Sequence, residues 1–137
     1  MPYLNIKIAA QPSDETSRRV ATLLTELTSR ILGKKAEVTA VSVEFVEPKR
    51  WFIGTVPLDH RQVASYYLDI KITEGTNTKN EKAEYVQEVF AGMEGIIGEV
   101  APASYILLHE LPADAWGYQG RTQEFRYIKG KDRKSVV

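Results

Sequence analysis

Seven residues near the start of the chain, Pro2-Tyr3-Leu4-Asn5-Ile6-Lys7-Ile8, return as Tyr66-Tyr67-Leu68-Asp69-Ile70-Lys71-Ile72. The offset is 64 residues, five of the seven positions are identical, and Asn5/Asp69 is a near-isosteric exchange. A repeat at this period means that one supersecondary unit is built twice. The two copies differ at their first position. Pro2 follows Met1, whereas Tyr66 lies in mid-chain, so only the first copy can offer an amino-terminal nitrogen once Met1 is removed.

Each copy reads as strand, helix, strand. In residues 2–8, Leu4, Ile6 and Ile8 alternate with Tyr3, Asn5 and Lys7, the period of a half-buried strand. Proline is tolerated as the opening residue of such a strand. Ser13 or Asp14 then caps a helix, with Glu15 favourable in its first turn. Val20, Leu23, Leu24, Leu27, Ile31 and Leu32 form its apolar stripe, and Gly33 stops it. Val41, Val43 and Phe45 predict the second strand, and Trp51-Phe52-Ile53-Gly54 a short strand or hairpin arm. After residues 66–72, Thr78 with Glu81 makes a capping box. Val86, Val89, Phe90, Met93, Ile96 and Ile97 form the second stripe, and Tyr105 to His109 the last strand. Ile96-Ile97-Gly98 matches Ile31-Leu32-Gly33, and Trp116 matches Trp51, both at an offset of 65.

The expected fold class is α+β. Two tandem β-α-β units, each joining parallel strands, share a four-stranded sheet with both helices on one face. The other sheet face carries Tyr3, Asn5, Lys7, Tyr67, Asp69 and Lys71, the mixed polar and aromatic composition of a subunit interface. Residues 1–137 read as a single domain, with pseudo-repeats at 2–54 and 66–120, a linker at 55–65 and a basic tail at 121–137. The tail holds Arg126, Lys129, Lys131, Arg133 and Lys134 against Glu124 and Asp132 and is expected to be solvated. Phe125, Tyr127 and Ile128 are its candidates for packing on a neighbour.

Charge and composition narrow the function. Lys plus Arg is 18 and Asp plus Glu is 18, a balance unlike that of a nucleic-acid binder. The absence of cysteine excludes disulfides and thiolate chemistry. There is no apolar run of about 18 residues to span a membrane, and Asn5 and Lys7 break any signal-peptide core. A cytoplasmic location is the default expectation. His109-Glu110 lacks a second histidine at metal-ligand spacing, so no metal is expected.

The doubled unit resembles the tautomerase superfamily, whose type member is 4-oxalocrotonate tautomerase. The resemblance rests on Met1-Pro2 leading into a strand, the helix opening at Ser13-Asp14-Glu15, the aromatic-glycine turn from Trp51 to Gly54, Ile72-Thr73-Glu74-Gly75, and Pro112-Ala113-Asp114-Ala115-Trp116-Gly117. It covers residues 2–120 and is that of a fused, two-unit member. It implies a homotrimer and an amino-terminal proline, Pro2, acting as catalytic base or acid without any cofactor. The chemistry is reasonable. A free α-amino group titrates at about 7.7–8.0, burial and nearby cations lower that value, and a base poised there can move a proton alpha to a carbonyl. With Met1 retained, the nitrogen is an amide and no base.

The chain also departs from the family. Its two carboxylate-binding arginines align with Pro12 and Thr76 after the first strand of each unit, and with Ser42 and Tyr105 on the second. A dicarboxylate substrate is therefore not expected. The stretch from Glu110 to Ala113, through Tyr118 and Arg121, resembles cis-3-chloroacrylic acid dehalogenase. That enzyme's water-activating glutamate falls near Gly117 and its histidine near Ser29, so hydrolytic dehalogenation is not expected either. Substitute substrate-binding candidates are Arg121 after a glycine turn, Arg126, the aromatic walls Trp51 and Trp116, and Tyr105 as an enolate donor. Against these stand surface ion pairs for the arginines, a core place for one tryptophan and a subunit contact for Tyr105. Three functions remain to be weighed: a cofactor-free keto–enol tautomerase of a small 2-oxo acid or enol, a non-catalytic ligand-binding or structural trimer, and, least favoured by the neutral charge, a ferredoxin-like domain binding nucleic acid.

Overall fold

The computed structural model describes residues 2–136, with side chains to residue 129. In chain order its elements are β1 (Tyr3–Ala9), α1 (Asp14–Leu32), β2 (Ala40–Val46), β3 (Phe52–Ile53), β4 (Val56–Pro57), β5 (Ser65–Thr73), α2 (Lys79–Ile97), β6 (Tyr105–Leu111), β7 (Gly117–Tyr118), β8 (Arg121–Thr122) and α3 (Gln123–Val136). Short 3-10 turns at Ala36–Val38, Pro48–Arg50, Leu58–His60 and Ala113–Ala115 punctuate the loops.

The two β-α-β units meet in one four-stranded sheet of order β2-β1-β5-β6. Within each unit the strands run parallel, and the units join through antiparallel β1 and β5. In that seam Tyr3 faces Lys71, Asn5 faces Asp69 and Lys7 faces Tyr67. Equivalent positions thus exchange places about a local two-fold axis at the Asn5/Asp69 pair. The alternation read from the sequence fixes which side chains go where. Leu4, Ile6, Ile8, Leu68 and Ile70 are 0% exposed beneath the helices, while the odd-numbered positions occupy the opposite face. Burying an aliphatic side chain of this size contributes roughly 1.5–3 kcal/mol, so the strand alternation is strongly enforced.

Capping sets the helix boundaries. The Ser13 hydroxyl accepts from the Thr16 amide at 3.1 Å, and Gly33 ends α1 at φ 70°. That left-handed backbone suits glycine. Thr78 and Glu81 complete the predicted reciprocal box at α2. Helix α1 buries Val20, Leu24, Leu27, Thr28, Ile31 and Leu32, and Leu23 is partly buried. In α2 the stripe sits one residue earlier than expected at its start. Val86 is exposed, and Tyr85 is buried with Val89 and Met93 because its hydroxyl meets Thr28 of α1 at 2.9 Å.

Two further segments correct the sequence reading. Residues 55–65 are structured: β3 and β4 form a hairpin, and Leu58 is buried. The region from Arg121 onward is not simply a solvated tail. Arg121–Thr122 pairs with Gly117–Tyr118, and residues 123–136 are helical. The side chains of Lys131, Asp132, Arg133 and Lys134, and all of Met1, lie outside the described residues. Helix α3 rests on the Ala113–Ala115 turn and β8. Phe125, Tyr127 and Ile128 on it are exposed.

Candidate active site

Pro2 is buried, and its carbonyl accepts a hydrogen bond from the Ala40 amide at 3.3 Å. Tyr3 pairs with Lys71, so continuing the register by one residue sets Pro2 beside Ile72. Ile72 in turn pairs with Glu110 of β6. Pro2 and Glu110 therefore lie level, two strand spacings or about 10 Å apart, on the helix-facing side of the sheet. Glu110 is the exception on that side, where the neighbouring strand positions are aliphatic, and it forms an ion pair with Lys82 from the first turn of α2.

A second cation reaches the same end. Lys34 follows the αL glycine of α1, and its Nζ donates to Thr76 Oγ1 at 2.7 Å. The Thr76 hydroxyl donates to the Thr73 carbonyl at 2.6 Å, one residue beyond Ile72. Asn77 Nδ2 donates to the Leu32 carbonyl at 2.9 Å and closes the loop against α1. Burial holds the Lys34 ammonium below the usual lysine range, with the Glu81 and Glu110 carboxylates pulling the other way. A half-dehydrated ammonium is a stronger ligand for an anion than a fully hydrated one. Glu81 lies low for a carboxylate because the Thr78 amide, then Asn77, donate to it. At the other end of the sheet the residue after the helix-ending glycine is Glu99 instead of a lysine.

The predicted site residues divide between the two ends. Trp116, Arg121 and Arg126 follow β6 and so share the end of the sheet where Pro2 lies. Trp51 and Tyr105 stand at the opposite end, about 20 Å away along the strands. One chain does not bring those two to its own Pro2. Arg121 lies 4.7 Å from the centre of the Phe125 ring, and Arg126 lies 4.5 Å from that of Tyr118. Both guanidiniums thus stack on aromatic rings of their own segment. Trp51 and Trp116 are half-buried and structurally equivalent: each carbonyl accepts, at 2.8 Å, from the residue that leaves its hairpin, Leu58 or Gln123. Tyr105 is 57% exposed on the outer sheet face.

The register also amends one alignment. Ser42 faces Asn5, and the residue facing Asp69 is Leu107; Tyr105 faces Tyr67 as Ala40 faces Tyr3. Leu107, not Tyr105, is the second-unit counterpart of Ser42, and neither place holds an arginine. Lys34 was missed because Gly33-Lys34-Lys35 reads as an ordinary helix end. The only clue was its position straight after the predicted stop. Open recesses of about 500 Å³ around Leu58, Gln62 and Glu99 and of about 570 Å³ around Gln11, Phe45 and Arg50 are not lined by Pro2. Among the described residues no group of three His, Asp or Glu side chains is placed to hold a metal, and no helix is long and apolar enough to cross a membrane.

Known structures with this architecture are numerous. One, a fused 4-OT wild-type asymmetric trimer, superposes with a TM-score of 0.78 at 13% identity, covering 90% of this chain and 98% of that one. The protein Pt0534, inactivated by 2-oxo-3-pentynoate, gives 0.79 at 11% identity over 90% and 98%. The macrophage migration inhibitory factor-like protein of Entamoeba histolytica gives 0.71 at 22% identity over 88% and 97%. At these identities the likeness is one of fold. Among curated proteins, none matches the chain in sequence. The family model for tautomerase enzymes matches twice, over residues 2–61 and 67–126. The repeat seen in the sequence, the two β-α-β units joined at β1 and β5, and this double match have one explanation: the chain belongs to the tautomerase family, as a fused two-unit member.

Proposed function

We propose that the protein is a cofactor-independent keto–enol tautomerase of a small 2-oxo acid or enol, with the amine of Pro2 as general base once Met1 is removed. The observation that carries the reading is the position of Pro2: buried, at the strand end where the half-dehydrated Lys34 ammonium is anchored by Thr76. Burial and a neighbouring cation both disfavour a protonated amine. The neutral amine takes a proton from the carbon next to the carbonyl, and Lys34 meets the substrate carboxylate or the developing enolate oxygen. The proton then returns to oxygen or carbon to complete the exchange. A homotrimer fits the exposed outer sheet face. It also gives Tyr105 and Trp51 a role, since their own Pro2 lies at the far end of the sheet and a neighbouring copy could supply another.

Pro2→Ala is expected to lower kcat/KM for the enol of phenylpyruvate by about 10²–10⁴-fold, and Lys34→Ala by about 10²-fold. An unchanged rate in Pro2→Ala overturns the reading. A chemical probe tests the same point. 2-Oxo-3-pentynoate, the reagent that inactivates Pt0534, is an electrophilic 2-oxo acid. It is expected to add to the Pro2 nitrogen and to raise the mass of the amino-terminal peptide.

A second reading is a non-catalytic ligand-binding or structural trimer of the same fold. It is favoured by Pro12, Thr76, Ser42 and Leu107, which stand where the family's arginines are expected. An intact mass that still includes Met1, in protein made without a tag, supports this alternative.

A further inference from the structure

The ion pair beside Pro2 carries an inference that rests on the tautomerase reading and specifies its substrate. We infer that Glu110, held by Lys82, is a specificity-determining residue: it keeps Lys82 from the substrate and sets a negative charge against a second carboxylate, so that the site selects 2-oxo monocarboxylates.

The argument begins with placement. Glu110 occupies a helix-facing position of β6, level with Pro2 and separated from it by Ile72 alone. The same side of the sheet is otherwise apolar, lined by Leu4, Ile6, Ile70 and Ile72 with the aromatic Phe45 and Tyr66. Glu110 is exposed at the strand end, and its carboxylate serves the ion pair with Lys82 rather than packing. Its counterpart in the first unit is Phe45, which faces Ile8 as Glu110 faces Ile72.

Charge comes next. Among the described residues, Lys34, Glu81, Lys82 and Glu110 are linked by ion pairing or electrostatics at this end, and Arg121 and Arg126, which follow β6, are stacked on Phe125 and Tyr118. Glu81 is held by the Thr78 amide in the capping box, and Lys82 by Glu110. Lys34 donates to the neutral Thr76 hydroxyl, with the Glu81 and Glu110 carboxylates nearby, and its charge is available to an incoming anion. A substrate with one carboxylate satisfies Lys34 and directs an uncharged group along the Ile72 and Glu110 side. A substrate with a carboxylate at each end brings its second charge towards Glu110, where like charges repel. Lys82 cannot offset that cost while it is paired.

Glu110→Gln separates these contributions. It keeps the side-chain shape, removes the negative charge and frees Lys82. The ratio of kcat/KM for oxaloacetate enol to that for phenylpyruvate enol is expected to rise by about tenfold. Calorimetry in a Pro2→Ala background is expected to show the same shift in the affinities of the two keto acids, with no chemistry involved. Lys82→Met works in the opposite sense. It leaves Glu110 without its cation, and binding of both acids is expected to weaken, the dicarboxylate more. That variant carries the test if Glu110→Gln does not fold. Ratios that stay within twofold of wild type in both variants overturn the inference. The failure of the parent reading looks different: it is an undiminished rate in Pro2→Ala, whatever the Glu110 ratio does.

Discussion

Two tyrosines under the helices show how differently one side chain behaves with and without a partner. The Tyr85 hydroxyl meets Thr28 at 2.9 Å across the α1–α2 contact, and both residues are 0% exposed. The Tyr66 hydroxyl is buried with no hydrogen-bond partner among the described residues. Tyr85→Phe strands the Thr28 hydroxyl and is expected to cost about 1–3 kcal/mol in urea denaturation. Tyr66→Phe removes an unpaired polar group and is expected to be neutral or stabilising by the same measurement. Burial pushes the Tyr85 phenol up to about 12, with the Thr28 bond a smaller effect in the other direction. Tyr66 is raised too, by burial first and the Glu94 carboxylate second. Both native-state values lie above the unfolded value of 10.0. The stabilisation from keeping these phenols neutral is complete below pH 10 and is lost as pH climbs through the folded values. A urea midpoint that falls steeply between about pH 10 and 12, and less so in Tyr85→Phe, is the expected result. Little of this is legible locally. Tyr85 sits one residue before the apolar stripe that the helical period selects, and nothing local marks Thr28 as its partner. Lys34 is hidden for the same reason, since dehydration of one lysine in a Lys-Lys pair depends on a loop 42 residues further along.

At the level of elements, the local signals were legible because they are local. Period-two alternation marks β1 and β5, Ser13 and Thr78 mark the helix starts, and Gly33 marks a stop. What escaped were features set by distant chain: the pairing that puts Leu107 rather than Tyr105 opposite Asp69, and the helical state of residues 123–136, whose charge pattern alone reads as tail. Two glycines inside α2 separate propensity from packing. A Cβ on Gly92 would meet Leu23 Cδ1 of α1 at 2.7 Å, whereas one on Gly95 would meet nothing within 4 Å. Gly95→Ala is expected to raise stability by about 0.5–1 kcal/mol. Gly92→Ala gains the same helix propensity but must push Leu23 out of its place. It is expected to fall short of Gly95→Ala by about 1 kcal/mol or more in thermal or urea unfolding.

At the scale of the whole molecule, the outer sheet face is a surface that the fold leaves open to a partner. It alternates hydrogen-bonded polar residues with apolar ones. The Asn5 amide donates to Ser42 and Glu44, Lys71 and His109 flank Asp69, and Tyr105 and Leu107 are exposed beside them. With assembly through this face, Leu107→Glu buries an unpaired charge at the contact. Sedimentation equilibrium is then expected to show the mass of one chain in place of three, and tautomerase activity is expected to fall with it. An unchanged mass would move the contact to another surface.

The local two-fold axis at Asn5 and Asp69 has its own consequence. It gives the sheet two geometrically matched ends, yet the place of Pro2 is taken at the other end by Tyr66 and that of Lys34 by Glu99. Duplication therefore produced a spare. On the proposed function one end is bound by the demands of proton transfer, while its twin, with an in-chain amide and a negative charge, is free of them. Reordering the chain so that it begins at position 66 with proline, and restoring lysine at 99, would transplant the chemistry from one end to the other on an unaltered scaffold.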